Sequence, residues 1–341
     1  MATWFDEARL DDERALATAD AVLRRLAESG ARVRRESHDA EDAMGEAVVA
    51  SRDGVRPRAV LAAGPDSRLL RAVLEPWCPV PFVAWPSHAL PGWAGSMDLV
   101  VVLAPVGADA GAASAVAEGV RRGCQVVVAC PPRSLVAEHA AGRYATVLPT
   151  VTGDQLATAV VMLDYLDRVS LGPRTDAEEV AGSLDAVAAQ CSPLRNLAVN
   201  PAKMNAIALA DTTPLVWGGS ALAARAARRV AESIRRASGR TALAGDVDQL
   251  LPVIEATPRR DVFDDPFSDT PPDRRPMLLV LDDGNDEPIA REQRGRLHTA
   301  ATAQGIRIET ISTEGETEVA RYASMMLSGT YTAEYLRLGL V

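Results

Sequence analysis

The chain has 341 residues, enough for two domains with full hydrophobic cores. A 48% hydrophobic fraction excludes a disordered chain, and a net charge of −10 argues against a general nucleic-acid binder or adsorption to anionic membranes. Four cysteines without a CxxC pair (Cys78, Cys124, Cys130, Cys191) and four scattered histidines point to neither a disulfide framework nor a metal cluster, and no cofactor is expected.

The first residues lack a basic stretch followed by an apolar core, and no apolar run approaches transmembrane length, so the expectation is a cytoplasmic protein. Residues 8–29 show helical spacing in Ala8, Ala15, Ala19, Val22, Leu23 and Leu26, closed by Ser29-Gly30. Residues 31–57 are polar, with a further helix only around 40–50. From Arg58 strands alternate with helices. Strands are predicted at 59–62, 80–84, 97–103, 126–129 and 146–148, and helices at 69–74, 112–122 and after Pro131-Pro132. The run 97–103 is so apolar that it belongs in the middle of a parallel sheet. Cys124 and Cys130 flank the fourth run and read as buried small residues. Helices at 152–169 and 176–190 enclose Leu171-Gly172-Pro173-Arg174, the expected domain boundary.

The second half opens with Asn200-Pro201-Ala202-Lys203, a helix cap followed by proline in the first turn. Leu215-Val216-Trp217 is a short strand, and Gly218-Gly219-Ser220 turns it into a long Ala/Arg helix from about 221 to 236. A strand, a small-residue turn and a helix N-terminus form a general anion-binding arrangement, although the same pattern also makes plain α/β connections. There follow a weak strand at 241–244, a helix at 247–255, an irregular loop rich in Pro, Asp and Arg at 257–276, a strand at 277–282, a helix at 289–304 and a strand at 306–311. Two last helices are predicted at 316–327 and 330–338.

The stretch from Asn200 to Ser220, its long helix, and the tail from Gly305 to Leu336 resemble the second half of bifunctional phosphoglucose/phosphomannose isomerases of the sugar isomerase (SIS) group, in particular the actinobacterial TobH-type branch. The resemblance implies an α/β fold of two SIS-type, doubly wound parallel-sheet (flavodoxin-like) subdomains flanked by helices. These are an N-terminal domain over 1–170 with its leading helix and a C-terminal domain over 171–341 that contains the 257–276 loop. It also implies a homodimer and a sugar phosphate or related anionic ligand, with a partner enzyme of mannose phosphate metabolism as a further possibility. Nucleic-acid and membrane partners are not expected.

Moving a proton between two sugar carbons needs a phosphate cradle, a ring-opening acid/base, a carboxylate base and something to stabilise the enediolate. The family's hydroxyl-rich cradle corresponds here to Ala104–Gly111, which keeps Gly107 but carries Pro105 and Asp109. Its first glycine turn corresponds to residues 63–67, which keep Gly64 and Ser67 and add Asp66. The carboxylate–histidine segment corresponds to residues 243–252, where Asp246 and Asp248 are the only acids and histidine is absent. Lys203 is the only lysine in the chain and is already used by the Asn-Pro-Ala-Lys motif, so the family's C-terminal lysine has no counterpart. In the long helix only Arg228 keeps its chemistry.

The weak catalytic candidates are therefore Asp246, Asp248 and Lys203. The ligand-binding candidates are Gly64, Ser67, Gly107, Gly218, Gly219, Ser220 and Arg228. The leading expectation is a sugar-phosphate-binding sensor or regulator with a degenerate catalytic set. The alternative is an active aldose–ketose isomerase with relocated groups.

Overall fold

The computed structural model describes residues 4–52, 56–258, 274–313 and 315–341. Nine strands form two parallel sheets among these residues. Val60–Ala63 (β1), Phe82–Trp85 (β2), Leu99–Leu103 (β3), Gln125–Cys130 (β4) and Ala145–Pro149 (β5) pair in the order β2-β1-β3-β4-β5. This is the flavodoxin-like winding, and β3, the apolar run, lies at its centre. Every residue of β1 and β3 is buried, as expected of strands covered on both faces. Leu61, Val100, Val102, Val126 and Val128 point to one face. There they pack on Ala112, Ala115 and Val116 of Ala110–Arg121 (α4). Each such side chain stabilises the fold by roughly 1.5–3 kcal/mol.

The second sheet repeats the plan with four strands, β7-β6-β8-β9: Thr212–Gly218 (β6), Leu243–Ala244 (β7), Arg275–Asp282 (β8) and Ile308–Ser312 (β9). Leu215, Trp217, Leu278 and Val280 pack against Leu250 and Ile254 of Val247–Glu255 (α10) and against Leu297 and Ala301 of Pro288–Ala303 (α11). The doubly wound α/β architecture expected from the alternation of strands and helices is the one observed.

The chain forms two compact units. Ser29–Gly182 and Gly315–Ala320 gather around the five-stranded sheet. Met1–Glu28, Ser183–Glu314 and Arg321–Val341, so far as they are described, gather around the four-stranded one. Within the latter, Phe5 bridges to Leu340, and Glu13–Ala27 (α1) belongs to the same unit.

Three expectations from the pattern are corrected. Ser29-Gly30 does not end helical structure, because Ser29–Arg52 (α2) begins there and runs for 24 residues. Val33, Ala40, Met44, Ala47 and Val48 are buried along it, and polar contacts fix it further. Glu36, with no exposed surface, accepts the Val151 and Thr152 N–H groups and the Thr152 hydroxyl. Arg32 meets Asp154 at 2.8 Å, and Glu41 meets Arg168 at 2.7 Å.

The break expected between residues 327 and 330 is absent, and Glu318–Gly339 (α12) is continuous. Gly329 is a crossing point: an added Cβ would lie 2.3 Å from the Val230 side chain of Ala221–Ser238 (α9). The loop expected at 257–276 lies mostly outside the described residues. At its ends, Thr257 closes α10 by donating to Val253 O at 2.9 Å, and Arg275 and Pro276 already belong to β8.

Gln155–Arg168 (α6), which packs on β3 and β4, ends in a Schellman arrangement. Leu171 N–H reaches Leu166 O at 2.7 Å and Ser170 N–H reaches Asp167 O at 2.8 Å. The left-handed residue such an ending requires is Ser170, with φ +58°, where glycine is usual. That conformation costs a serine about 1 kcal/mol.

All four cysteines are free thiols. Burial pushes the Cys191 thiol up to about 12, against smaller opposing effects of the Ala202 N–H and the Arg195 charge. Burial also raises Cys78, Cys124 and Cys130. At neutral pH an alkylating reagent is expected to label the native protein slowly and at half-buried Cys78 first, and to reach the three buried thiols only after unfolding. Because Cys191 titrates higher folded than unfolded, its contribution to stability is intact below the ordinary thiol range near 9 and declines as pH climbs toward 12. Urea midpoints that stay flat across that window, or labelling of Cys191 at free-thiol rates, would refute this account.

Candidate functional site

In doubly wound sheets, ligands bind at the carboxyl ends of the strands, where loops and helix N-termini converge. The chain has two such edges, and they differ in what already occupies them.

At the four-stranded sheet, β6 ends in Gly218, and Ser220 caps α9. The Ser220 Oγ accepts the Ala223 N–H at 2.9 Å and donates to the carboxylate of Asp283, which is buried just beyond β8. The other Asp283 oxygen accepts from Asn285 N–H at 3.3 Å. Asp282 beside it is paired with Arg294 at 3.1 Å. The turn expected to seat an anion thus already holds a carboxylate of the chain itself.

Its glycines serve packing. A Cβ on Gly218 would come within 2.3 Å of the Ala223 carbonyl carbon, and one on Gly219 within 2.9 Å of the Trp217 ring. Arg228 is exposed on α9 and makes no ion pair among the described residues.

The three catalytic candidates lie in the same unit. Lys203, in Pro201–Leu209 (α8), has no exposed surface, and its Nζ donates three bonds: to Asp11 Oδ1 at 2.7 Å, Pro193 O at 2.9 Å and Arg195 O at 2.9 Å. It also lies 5.5 Å from the centre of the Tyr335 ring. An ammonium has three protons, and all are engaged. Burial raises the Asp11 carboxyl, but the Lys203 hydrogen bond, the Leu197 N–H and the Lys203 charge together hold it below its ordinary value. Lys203 is therefore built as a structural cation rather than a proton donor. Asp246 takes the N-cap position of α10, its N–H bonded to Gln249 Oε1 at 3.2 Å, and Asp248 is exposed in the first turn of the helix.

The five-stranded sheet presents a different edge. After β1, Gly64 turns with φ +88° and lies 3.5 Å from the Ala112 backbone measured from an added Cβ. Ser67 then opens Ser67–Trp77 (α3), a helix whose start has no side-chain cap. The Ser67 hydroxyl is buried and has no hydrogen-bond partner among the described residues. Asp66 faces sideways and accepts from Gln155 Nε2 at 2.5 Å, joining the starts of α3 and α6. Two more buried donors lack partners at this end of the sheet: Trp85 Nε1, at the end of β2, and the Thr150 hydroxyl, just past β5.

After β3, Gly107 turns with φ +73°, and a Cβ there would strike Ser134 at 2.3 Å. Asp109 caps α4 through Ala112 N–H at 2.7 Å. That helix start is closed by a carboxylate, as the loss of the cradle hydroxyls implies. His88 stands beside it: a Cβ on Gly111 would lie 3.0 Å from His88 Nδ1 and 3.1 Å from Asp109 Oδ1. The pattern gave no role to His88, Trp85 or Thr150. Their position at or just beyond the ends of strands β2 and β5 was the available signal.

Among the described residues no three His, Cys, Asp or Glu side chains are grouped as a metal site, and no helix is long and apolar enough to cross a membrane.

Residues 198–339 match the family model of the bacterial phospho-glucose isomerase C-terminal SIS domain. The resemblance carried by Asn200–Ser220 and the tail falls inside this match. In fold, the chain is similar to tagatose-6-phosphate ketose/aldose isomerase from Escherichia coli, with a TM-score of 0.68 and 11% identity over 92% of this chain and 93% of that one. It is also similar to the C-terminal domain of glucosamine-fructose-6-phosphate aminotransferase from Francisella tularensis, with a TM-score of 0.59 and 10% identity over 90% and 95% of the two chains. No curated protein matches the chain in sequence. The chain therefore has the α/β fold seen in SIS-domain phosphosugar isomerases, and its second half matches the bacterial phospho-glucose isomerase C-terminal SIS domain.

Two substitutions test the structural reading of this unit. Lys203→Met is expected to cost about 3 kcal/mol, since it strands two part-buried carbonyls and the Asp11 carboxylate. It is also expected to remove the acid-side dependence in which stability falls as pH drops below the ordinary aspartate value, because Asp11 is depressed only while Lys203 is present. Gly218→Ala is expected to cost about 3 kcal/mol through overpacking against the α9 backbone. Denaturant titration measures both, and wild-type midpoints would contradict these assignments.

Proposed function

We propose that the protein binds a sugar phosphate, or a closely related anionic sugar derivative, at the carboxyl edge of the five-stranded sheet, and that it acts as a sensor or regulator in glucose and mannose phosphate metabolism rather than as an isomerase. The observation that carries the ligand assignment is the Ser67 hydroxyl: buried, without a partner, at the uncapped start of α3 beside Gly64. A buried donor left unmade costs about 1–3 kcal/mol, and oxygen-rich ligand groups supply what Ser67, Thr150 and Trp85 lack. The four-stranded edge is the poorer seat, because Asp283 and Asp282 already occupy it with negative charge.

Support for a regulatory role comes from the engagement of the proton-transfer candidates. Lys203 is locked in three hydrogen bonds, and Asp246 and Asp248 stand at the start of α10. In this reading the chain is cytoplasmic and homodimeric, and an enzyme of mannose phosphate metabolism is the natural partner.

One feature favours a second reading, an active aldose–ketose isomerase with relocated groups. His88 and Asp109 are neighbours over Gly111, an imidazole and a carboxylate at the edge where the sugar would sit.

Thermal unfolding with glucose 6-phosphate, fructose 6-phosphate and mannose 6-phosphate separates these readings. A bound sugar phosphate at about 100 times its Kd is expected to add about 2.7 kcal/mol, and Ser67→Ala to lose most of that gain. Coupled assays are expected to show no interconversion above the protein-free control. Turnover abolished by His88→Ala would establish the second reading, and no stabilisation by any of the three would remove the ligand assignment.

A further inference from the structure

The five-stranded unit holds a cavity that none of the chemistry above uses. It has a volume of about 340 Å³ and lies at the amino ends of the strands, where Leu99 begins β3 and Gln125 begins β4. Arg56 and Pro57, on the approach to β1, form one side. Ser51 at the end of α2, with Tyr165 and Ser170 from the end of α6, forms the other. A five-residue strand rises about 16 Å, so this cavity and the Ser67 edge lie at opposite ends of the same sheet.

The lining is chemically one-sided. Arg56 carries the only charge among the lining residues and is exposed, with no ion pair or hydrogen bond among the described residues. Gln125 adds a carboxamide, and Ser51 and Tyr165 share a hydrogen bond of 2.8 Å. Acidic groups on the flanking segments are engaged elsewhere. Asp98 sits in the fork of Arg58 at 2.6 Å, Asp164 in that of Arg168 at 2.8 Å, and Asp167 accepts the Thr175 N–H at 2.8 Å.

The exposed carbonyls at the end of α6 would ordinarily oppose an anion, but the Schellman bonds of Ser170 and Leu171 take up two of them. The residue that makes this ending possible is a serine held at φ +58°. Glycine would fit that backbone without strain but would leave the cavity without a hydroxyl.

We propose that this cavity binds a small organic anion, a molecule of a few carbons bearing one carboxylate or phosphate group. Arg56 receives the charged end in its guanidinium fork, Gln125 and Ser170 hydrogen-bond the polar remainder, and Leu99 and Leu171 face its carbons. The volume is at the lower end of small-molecule pockets, which limits the ligand to about the size of a triose phosphate. The site is separate from the sugar phosphate edge and does not depend on it.

Isothermal titration of the full chain with glycerol 3-phosphate, lactate and glycerol tests the assignment and distinguishes phosphate from carboxylate. One of the two anions is expected to bind and neutral glycerol is not. Arg56→Gln is expected to weaken the binding at least tenfold, and Ser170→Gly about threefold, while Ser67→Ala leaves it unchanged. Ser170→Gly relaxes the backbone, so weakened binding in that variant cannot be blamed on misfolding. Binding by neither anion, unchanged affinity in Arg56→Gln or Ser170→Gly, or loss of binding in Ser67→Ala would overturn the proposal.

Discussion

The unit built on the four-stranded sheet depends on one buried cation. Lys203 reaches residue 11, the turn at residues 193–195 and the face of Tyr335, so a single ammonium gathers segments that are distant in sequence. Burying a charge is tolerable only when its hydrogen bonds are complete, and here they are. Tyr335 extends the arrangement by donating to Cys191 O at 2.7 Å, and Asn200 caps α8 through the Ala202 and Lys203 N–H groups while donating to Ser192 O. The Asn-Pro-Ala-Lys motif is therefore an architectural device, whose asparagine and lysine side chains both hold backbone in place.

The same economy governs the helix starts. Ser220, Asp109, Asp154 and Asn200 each bond to N–H groups of the helix that follows. Each such cap is worth about 1 kcal/mol and fills a position where a phosphate oxygen would otherwise sit. Where a carboxylate caps the helix, the local field is also turned against anions. The start of α3 is the exception on the five-stranded edge, since its aspartate is held sideways by Gln155.

Much of the fold was legible in the sequence because parallel strands buried on both faces leave continuous apolar runs. Residues 99–103 and 126–129 are unmistakable for that reason. α2 was legible only around residues 40–50: among the residues that fix the rest are Arg32, Glu36 and Glu41, and their partners at 151–154 and 168 are more than a hundred positions away. Its buried stripe is thin before Ala40, where Val33 is the one buried apolar residue, and hydrophobic periodicity does not register polar partners distant in sequence. α12 was misread for a related reason, since a glycine at a helix crossing and a glycine at a helix end look alike until Val230 is seen against it. At the site, Gly64, Ser67 and Asp109 could be placed by counting from the strands. The neighbouring positions of His88 and Asp109 could not, because it depends on how the loop after β2 folds back over α4.

The pairing of Phe5 with Leu340, reinforced by Asp6 N–H on Gly339 O and Val341 N–H on Trp4 O, gives the molecule a direction in time. During synthesis every strand of the five-stranded sheet has emerged by residue 149, so that sheet can assemble while the ribosome is still at work. In the other unit residues 4–6 find their backbone partners only once residues 339–341 have been made, so its closure is the later event.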